Sequence, residues 1–214
     1  NDSVMTISHE AIYMHIYSHP QARLNKKLIK LLPYQKSRRR KPKPRRKKGA
    51  KIKNQINISQ RPQHIENRQE IGHWEGDLVI GKAQKSAIGT IVERKSRYTL
   101  IIGLKNRTTK SVTRAFAKEL NRFDKQLTKT MTYDNGTEMA DHKWLAKNTK
   151  MDIYFANPYA SWERGTNENT NGLIRRYLPK KTDFKNVDNR QLKSIQNKLN
   201  NRPRKVLGFK TPLE

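Results

Sequence analysis

Hydrophobic positions follow two different periods along this chain. Between residues 71 and 106 they alternate or gather in short runs: HWEGDLVIG at 73–81, SAIGTIVERKS at 86–96 and RYTLIIGLKN at 97–106. These runs are rich in Ile, Val, Thr and Tyr, and breaks at Gly81-Lys82 and near Ser96-Arg97 bound them, which predicts three strands. Their short connections imply an antiparallel meander. A helical period then takes over. In TTKSVTRAFAKELNRF, residues 108–123, Val112, Phe116 and Leu120 share one stripe, and Thr108 or Thr109 can serve as the cap. TKTMTYDNG reads as a fourth strand ending in a polar turn, MADHKWLAKNT (139–149) as a helix and DIYFAN (152–157) as a fifth strand. The stretch PYASWERGTNENTNGLIRRYLPK, 158–180, reads as a helix, and a last helix over 188–201 ends before Pro203. Three meander strands followed by alternating elements predict an α/β fold, a mixed sheet flanked by helices.

The first third of the chain is patterned differently. Residues 6–17, TISHEAIYMHIY, form a short helical pattern with Ser8 as N-cap and Ile12 and Ile16 one turn apart. Residues 22–32, ARLNKKLIKLL, give a second amphipathic helix, and Pro33 stops it. Such a pair fits the end of a helix-turn-helix module and a small structural hairpin equally well. Residues 36–53 hold twelve Lys or Arg and no acid. Like-charge repulsion, with Pro42 and Pro44, keeps such a segment from packing, so an extended linker is expected. It can be a strap along DNA phosphates, a solvated spacer or a targeting signal. The lack of any Asp or Glu from residue 11 to residue 65 favours the strap, with Lys36, Arg38, Arg39, Arg40, Arg45 and Arg46 as phosphate contacts. The expected organisation is a helix-turn-helix-like DNA-binding remnant at 1–35, a basic linker at 36–65 and a core at 66–214.

Charge sharpens this picture. Lys and Arg number 47 against 18 Asp and Glu, a net charge of +29 over 214 residues, which calls for a polyanionic partner, most commonly nucleic acid. A ribosomal-type protein would be equally basic but would need no acidic constellation. The absence of cysteine excludes disulfides and cysteine zinc sites and fits a reducing cytoplasm. No apolar run reaches the length of a membrane span, so no membrane partner is expected. The start at Asn1, without an initiator Met, and the end at TPLE read as a fragment of a longer protein.

Against that basic background three carboxylates stand out. Asp77 lies within an apolar strand, where a lone charge is costly unless paired or metal-bound. Asp134 ends a strand at Asn135-Gly136; taken alone it reads as an Asx-turn residue, but strand ends also favour sites in such sheets. Glu163 and Glu168 compete for the third place. Glu163, near the helix start, can simply favour the dipole. Glu168 shares a helical face with Asn171, Gly172 and Arg175, a combination suited to a metal and a phosphate, so Glu168 is the choice. Glu75 and Glu138 read as surface or supporting groups. Two divalent ions about 3.5–4 Å apart, held by carboxylates, can both activate an attacking oxygen and stabilise a leaving one at phosphorus. Mg²⁺ suits such hard ligands, with Mn²⁺ as a substitute.

GHWEGDLVIG, IVERKSRY, YDNGTEMADH, YFANPYASWERGTNENTNGLIRRYLPK and NNRPRKVLGFKTP together resemble the DDE transposases of bacterial insertion sequences, family thirty. The resemblance covers residues 66–214, and its most specific part is the NENTNG segment. It implies a ribonuclease H-like core similar to that of retroviral integrases. It also implies a metal-holding catalytic triad at Asp77, Asp134 and Glu168, with 33 residues between the last two. A basic residue seven positions after the glutamate is a family feature that Arg175 supplies. The implied reaction is metal-dependent cleavage at element ends, then direct attack of a 3′-hydroxyl on a second phosphodiester. The implied partners are double-stranded DNA, terminal inverted repeats, target DNA and a second copy of the chain in a homo-oligomer, at the nucleoid of a bacterial cytoplasm. A nuclease of the same fold that does not join DNA, or a DNA-binding regulator with a vestigial core, are the alternatives.

Overall fold

The computed structural model describes residues 7–18, 22–32, 52–158 and 160–214. The strap residues Lys36, Arg38, Arg39, Arg40, Arg45 and Arg46 lie outside them. The chain divides into two compact units, Asn1–Lys47 and Lys48–Glu214. In the first, helices α1 (His9–Ser18) and α2 (Ala22–Leu31) follow the expected pattern. The Ser8 hydroxyl accepts from the Ala11 N–H at 3.1 Å, the N-cap its position called for. Asn25 Nδ2 donates to the Tyr17 carbonyl and ties the two helices together.

The second unit is built on five strands: β1 (His73–Ile80), β2 (Ala87–Glu93), β3 (Thr99–Gly103), β4 (Thr130–Tyr133) and β5 (Asp152–Phe155). Their spatial order is β3-β2-β1-β4-β5. The first three pair antiparallel, and β1–β4 and β4–β5 pair parallel, so the sheet is mixed as expected. Helices α3 (Thr109–Leu120), α4 (His142–Thr149), α5 (Gly165–Tyr177) and α6 (Asn189–Asn200) flank it. Alternation along β1 feeds two cores. Leu78 joins Ile91, Val112, Phe116, Met131 and Leu145 on one side. Val79 joins Ile88, Ile101, Ile174, Leu192 and Leu199 on the other. Gly89 lets α3 lie close, since a Cβ there would meet the Phe116 ring at 2.2 Å.

Two boundaries differ from the sequence reading. Residues 52–65, expected in the linker, pack with the core. Ile52 is buried in the main cluster, the Phe155 N–H donates to the Ile56 carbonyl at 2.9 Å, and Arg61 is buried. The reason is compositional: after Lys53 the charge run stops, and Ile56, Ile58 and Ile65 recur through a stretch whose one Lys or Arg is Arg61. The helix expected over 158–180 starts only at Gly165, preceded by a short 3₁₀ turn over Ser161–Arg164.

Each sheet edge is covered in part. Asn57 forms a parallel bridge to Phe155 beside β5. Along β3, Asn200 accepts from the Thr99 N–H and donates to the Thr99 carbonyl, both at 2.9 Å, and Gln196 accepts from the Ile101 N–H at 3.0 Å. Two amides one helical turn apart on α6 thus stand in for a neighbouring strand.

Candidate active site

Register between β1 and α5 builds the site. Glu75 and Asp77 are two residues apart on one face of β1, roughly 6.6 Å by strand rise, and Asn167 and Asn171 are four apart on α5, roughly 6 Å by helix rise. The two spacings match. The Asn167 N–H donates to Glu75 Oε2 at 2.9 Å, its amide donates to the Glu75 carbonyl at 2.8 Å, and Asn171 Nδ2 donates to Asp77 Oδ2 at 2.8 Å. Thr90, opposite Asp77 on β2, donates to Asn171 Oδ1 at 2.9 Å and fixes the amide's orientation.

Asp77 and Asp134 converge on one cation. Arg164 places Nη1 3.8 Å from Asp77 Oδ2 and Nη2 3.4 Å from Asp134 Oδ2, while Nη1 also donates to the Gly76 carbonyl at 3.1 Å. Asp134 uses its oxygens separately: Oδ1 accepts from the Gly136 N–H at 3.0 Å as an Asx turn, and Oδ2 faces Arg164. Tyr133, Met139, Phe116 and Leu78 floor the recess beside these two carboxylates, and Glu138 closes one side. Burial pushes Asp77 up to about 6; Arg164 opposes that shift, and the charge of Asp134 adds to it. Burial likewise raises Glu138, with Asp134 adding to the effect. A partly buried group of carboxylates, two of which share the Arg164 guanidinium, is an oxygen-donor set that a hard divalent cation fits.

Glu168 lies in the first turn of α5 with its side chain exposed, and its carboxylate makes no hydrogen bond or ion pair with any described residue. Arg164, four residues before it, and Asn171, three after it, both reach Asp77. Glu163 is engaged elsewhere, accepting from the backbone and side chain of Asn157 at 2.7 and 2.9 Å. Arg175 also faces β1, and its guanidinium is largely occupied. Nη2 donates to the Ile80 carbonyl at 2.5 Å, Nη1 reaches the Leu178 and Pro179 carbonyls at 3.5 and 3.4 Å, and the group stands over the Phe184 ring.

Sequence reasoning passed over Arg164 and left Glu75 between a surface and a supporting role. Arg164 had one available signal, its helical spacing of four from Glu168. Glu75 is fully buried rather than at the surface. Its Oε1 lies 3.1 Å from Arg94 Nε, an ion pair without hydrogen-bond alignment. Arg94 continues to Glu66 at 3.2 Å and to the Ile65 carbonyl at 3.1 Å, and Glu66 pairs with Arg61, which donates to Thr132 at 2.8 Å.

Residues 67–161 match the family model for the integrase core domain. The chain is 39% identical over 98% of its length to the transposase for insertion sequence element IS1086 of Cupriavidus metallidurans, covering 62% of that protein. It is 41% identical over 98% of its length to transposase InsI for element IS30A of Escherichia coli, covering 55% of it. With the transposase for element IS4351 of Bacteroides fragilis the identity is 41% over the whole chain and 64% of the relative. Residues 67–161 thus match an integrase core domain, and over nearly its whole length the chain is similar to transposases of insertion sequences. It spans little more than half to just under two thirds of the length of these relatives. The integrase core has the ribonuclease H-like fold. It aligns with the catalytic core domain of BIV integrase at TM-score 0.50 and 18% identity, over 66% of this chain and 90% of that one. A chain of a simian T-cell lymphotropic virus intasome gives 0.54 at 17%, over 67% of this chain and 53% of that one. A core of this type implies the use of a divalent metal. No helix among the described residues is long and apolar enough to cross a membrane.

Proposed function

We propose that this integrase core performs the chemistry of a transposase, cleaving phosphodiesters at the ends of a mobile element and joining the exposed 3′-hydroxyls to target DNA. The observation that carries this reading is the convergence of Asp77 and Asp134 on one cation, beside the helix face where Glu168 stands free between Arg164 and Asn171. Asp77, Asp134 and Glu168 would hold Mg²⁺, with Mn²⁺ as a substitute. When bound, the metal supplies Lewis-acid stabilisation to the oxygens entering and leaving at phosphorus.

The chain's own residues prepare that site. Asn171 and the Leu78 N–H hold the two oxygens of Asp77, each at 2.8 Å. Arg164 neutralises the carboxylate pair, a role that a metal held by these residues would take over. In the first step a water oxygen bonds to phosphorus and the element's 3′-oxygen leaves. In the second that 3′-oxygen bonds to a target phosphorus and the target's 3′-oxygen leaves, so no protein–DNA bond forms. Asn171, Arg175 and the basic segment containing Lys36, Arg38, Arg39, Arg40, Arg45 and Arg46 would contact double-stranded DNA. The first unit would contribute to recognition of the terminal inverted repeats. Work on paired ends calls for a homo-oligomer, acting at the nucleoid in a bacterial cytoplasm.

Incubation with labelled element-end DNA and Mg²⁺, with and without chelator, tests the reading. Nicked ends and joined product are expected with metal alone. Nicks without joining would identify a nuclease, and binding without nicks a regulator. Asp134→Asn and Glu168→Gln should each nearly abolish both products while DNA binding survives, and Glu163→Gln should be far milder. Retained activity in Glu168→Gln would remove that residue from the site.

A further inference from the structure

A second group of ligand-bearing side chains lies where β1 begins. His64, Glu70 and His73 place one ligand atom each within 4.8 Å of one another. His73 Nε2 is 3.0 Å from Glu70 Oε2, and His64 Nε2 is 3.7 Å from the same oxygen. Ligands around a tetrahedral zinc-type ion, with bonds of about 2.0–2.1 Å, stand about 3.3 Å apart. The observed separations bracket that value. The remaining His64–His73 gap can close by rotation of His64, whose side chain is 65% exposed.

From this geometry we propose that His64, Glu70 and His73 bind a divalent transition-metal ion of the zinc type, separate from the carboxylate site. His73 lies four residues before Asp77, roughly 13 Å along the strand. Two imidazoles and one carboxylate favour zinc-type ions over Mg²⁺, which prefers oxygen donors throughout.

The surroundings support each ligand. His73 is buried, and burial lowers its affinity for a proton, which keeps the ring neutral as a ligand must be. Its Nε2–H now donates to Glu70, and its Nδ1 lies 2.9 Å from the Thr130 hydroxyl. To ligate through Nε2, the ring must move its proton to Nδ1. Thr130 allows this because a hydroxyl can accept there as readily as donate. The same contact then fixes the ring from behind, as outer partners of metal-binding histidines do. Glu70 pairs through Oε1 with Lys129, which leaves Oε2 toward the histidines. A bound ion would clamp residues 64–70 to β1 and, through Thr130, to β4.

Calorimetric titration with Zn²⁺ tests the proposal. The titrated protein is the full chain carrying Asp77→Asn and Asp134→Asn, which silences the other site. One equivalent should bind, and Zn²⁺ should raise the unfolding midpoint. Adding His64→Ala or Glu70→Gln, both at exposed positions, should weaken binding at least about tenfold and remove the rise. Equal affinity in both variants would assign the ion to other histidines and overturn the site, as would the absence of saturable binding.

Discussion

Two carboxylate–arginine groups sit two residues apart on the same strand. At Glu75 both partners are sealed: Glu75 is fully buried and Arg94 nearly so, and Arg94 runs on to Glu66 while the Asn167 N–H of α5 donates to Glu75 Oε2. At Asp77 the arrangement is open. Asp77 and Asp134 keep 24% and 43% of their side chains exposed, and Arg164 holds them at 3.8 and 3.4 Å. The chemistry of the two groups is the same, but the degree of enclosure differs. Enclosure makes an ion pair a structural joint, whereas looseness leaves a carboxylate free to change partners. A site meant to accept a metal needs the second condition.

The largest expected effect breaks the sealed group. Arg94→Met leaves Glu75 charged and unpaired in the interior, which costs about 3–5 kcal/mol in urea denaturation. Adding Glu75→Leu should recover much of that loss. If Arg94→Met is as stable as the parent, the sealed group is not a joint.

Asp77→Asn should act in the opposite direction. Well below pH 3.8 Asp77 is protonated in the folded and unfolded chains alike. Its ordinary value is 3.8 and its folded value about 6, so between these the folded chain holds a proton the unfolded chain has released. The parent therefore loses stability as pH rises through that window, to a constant penalty of up to about 3 kcal/mol above pH 6. Without metal, Asp77→Asn should be more stable than the parent at pH 7.5 by up to that amount, and equal to it well below pH 3.8, while cleavage is abolished. A stability difference independent of pH would disprove the burial argument.

Arg164→Ala removes the cation that both open carboxylates share. The metal-free protein should lose about 1 kcal/mol, the scale of its bond to the Gly76 carbonyl. Mg²⁺ should bind several-fold more tightly, because a competing charge is gone. Unchanged Mg²⁺ affinity by calorimetry would mean that the guanidinium and the metal do not compete.

The smallest effects separate Arg175 from its neighbour. Arg175→Ala should cost about 1–2 kcal/mol through its carbonyl contacts, and Arg176→Ala less than about 0.5. At a temperature where both variants are fully folded, a deeper loss of DNA joining in Arg175→Ala would mark a positioning role. Equal joining would leave Arg175 a purely structural residue.

Period and turn chemistry made the five strands and the later helices legible, because each buries a stripe or an alternating face. The Asx turn at Asp134 was legible for a similar local reason. Glu75 was not. In HWEGDLVIG two acids alternate on one face, and nothing local says which will meet Arg94 and Glu66 from 19 and 9 residues away. Arg164 shares the helical spacing of Glu168, but among so many cations its sequence does not mark it as the one that meets Asp77 and Asp134. The core begins before residue 66: the stretch that follows Lys53, where the charge run ends, packs with it, but a charge run reads more strongly in sequence than three scattered isoleucines.

The side-chain amides of α6 have a bearing on assembly. An open strand would let two copies of this protein zip into one continuous sheet, or let unfolded neighbours template on it. With Thr99 and Ile101 answered by Asn200 and Gln196 on one side, and Phe155 by residues 56–57 on the other, those positions extend no such invitation. In the proposed assembly on paired DNA ends, Thr99, Ile101 and Phe155 offer no backbone pairing between subunits, which points to contacts through helices, loops or the DNA itself. That leaves their spacing free to be set by the nucleic acid rather than by backbone pairing.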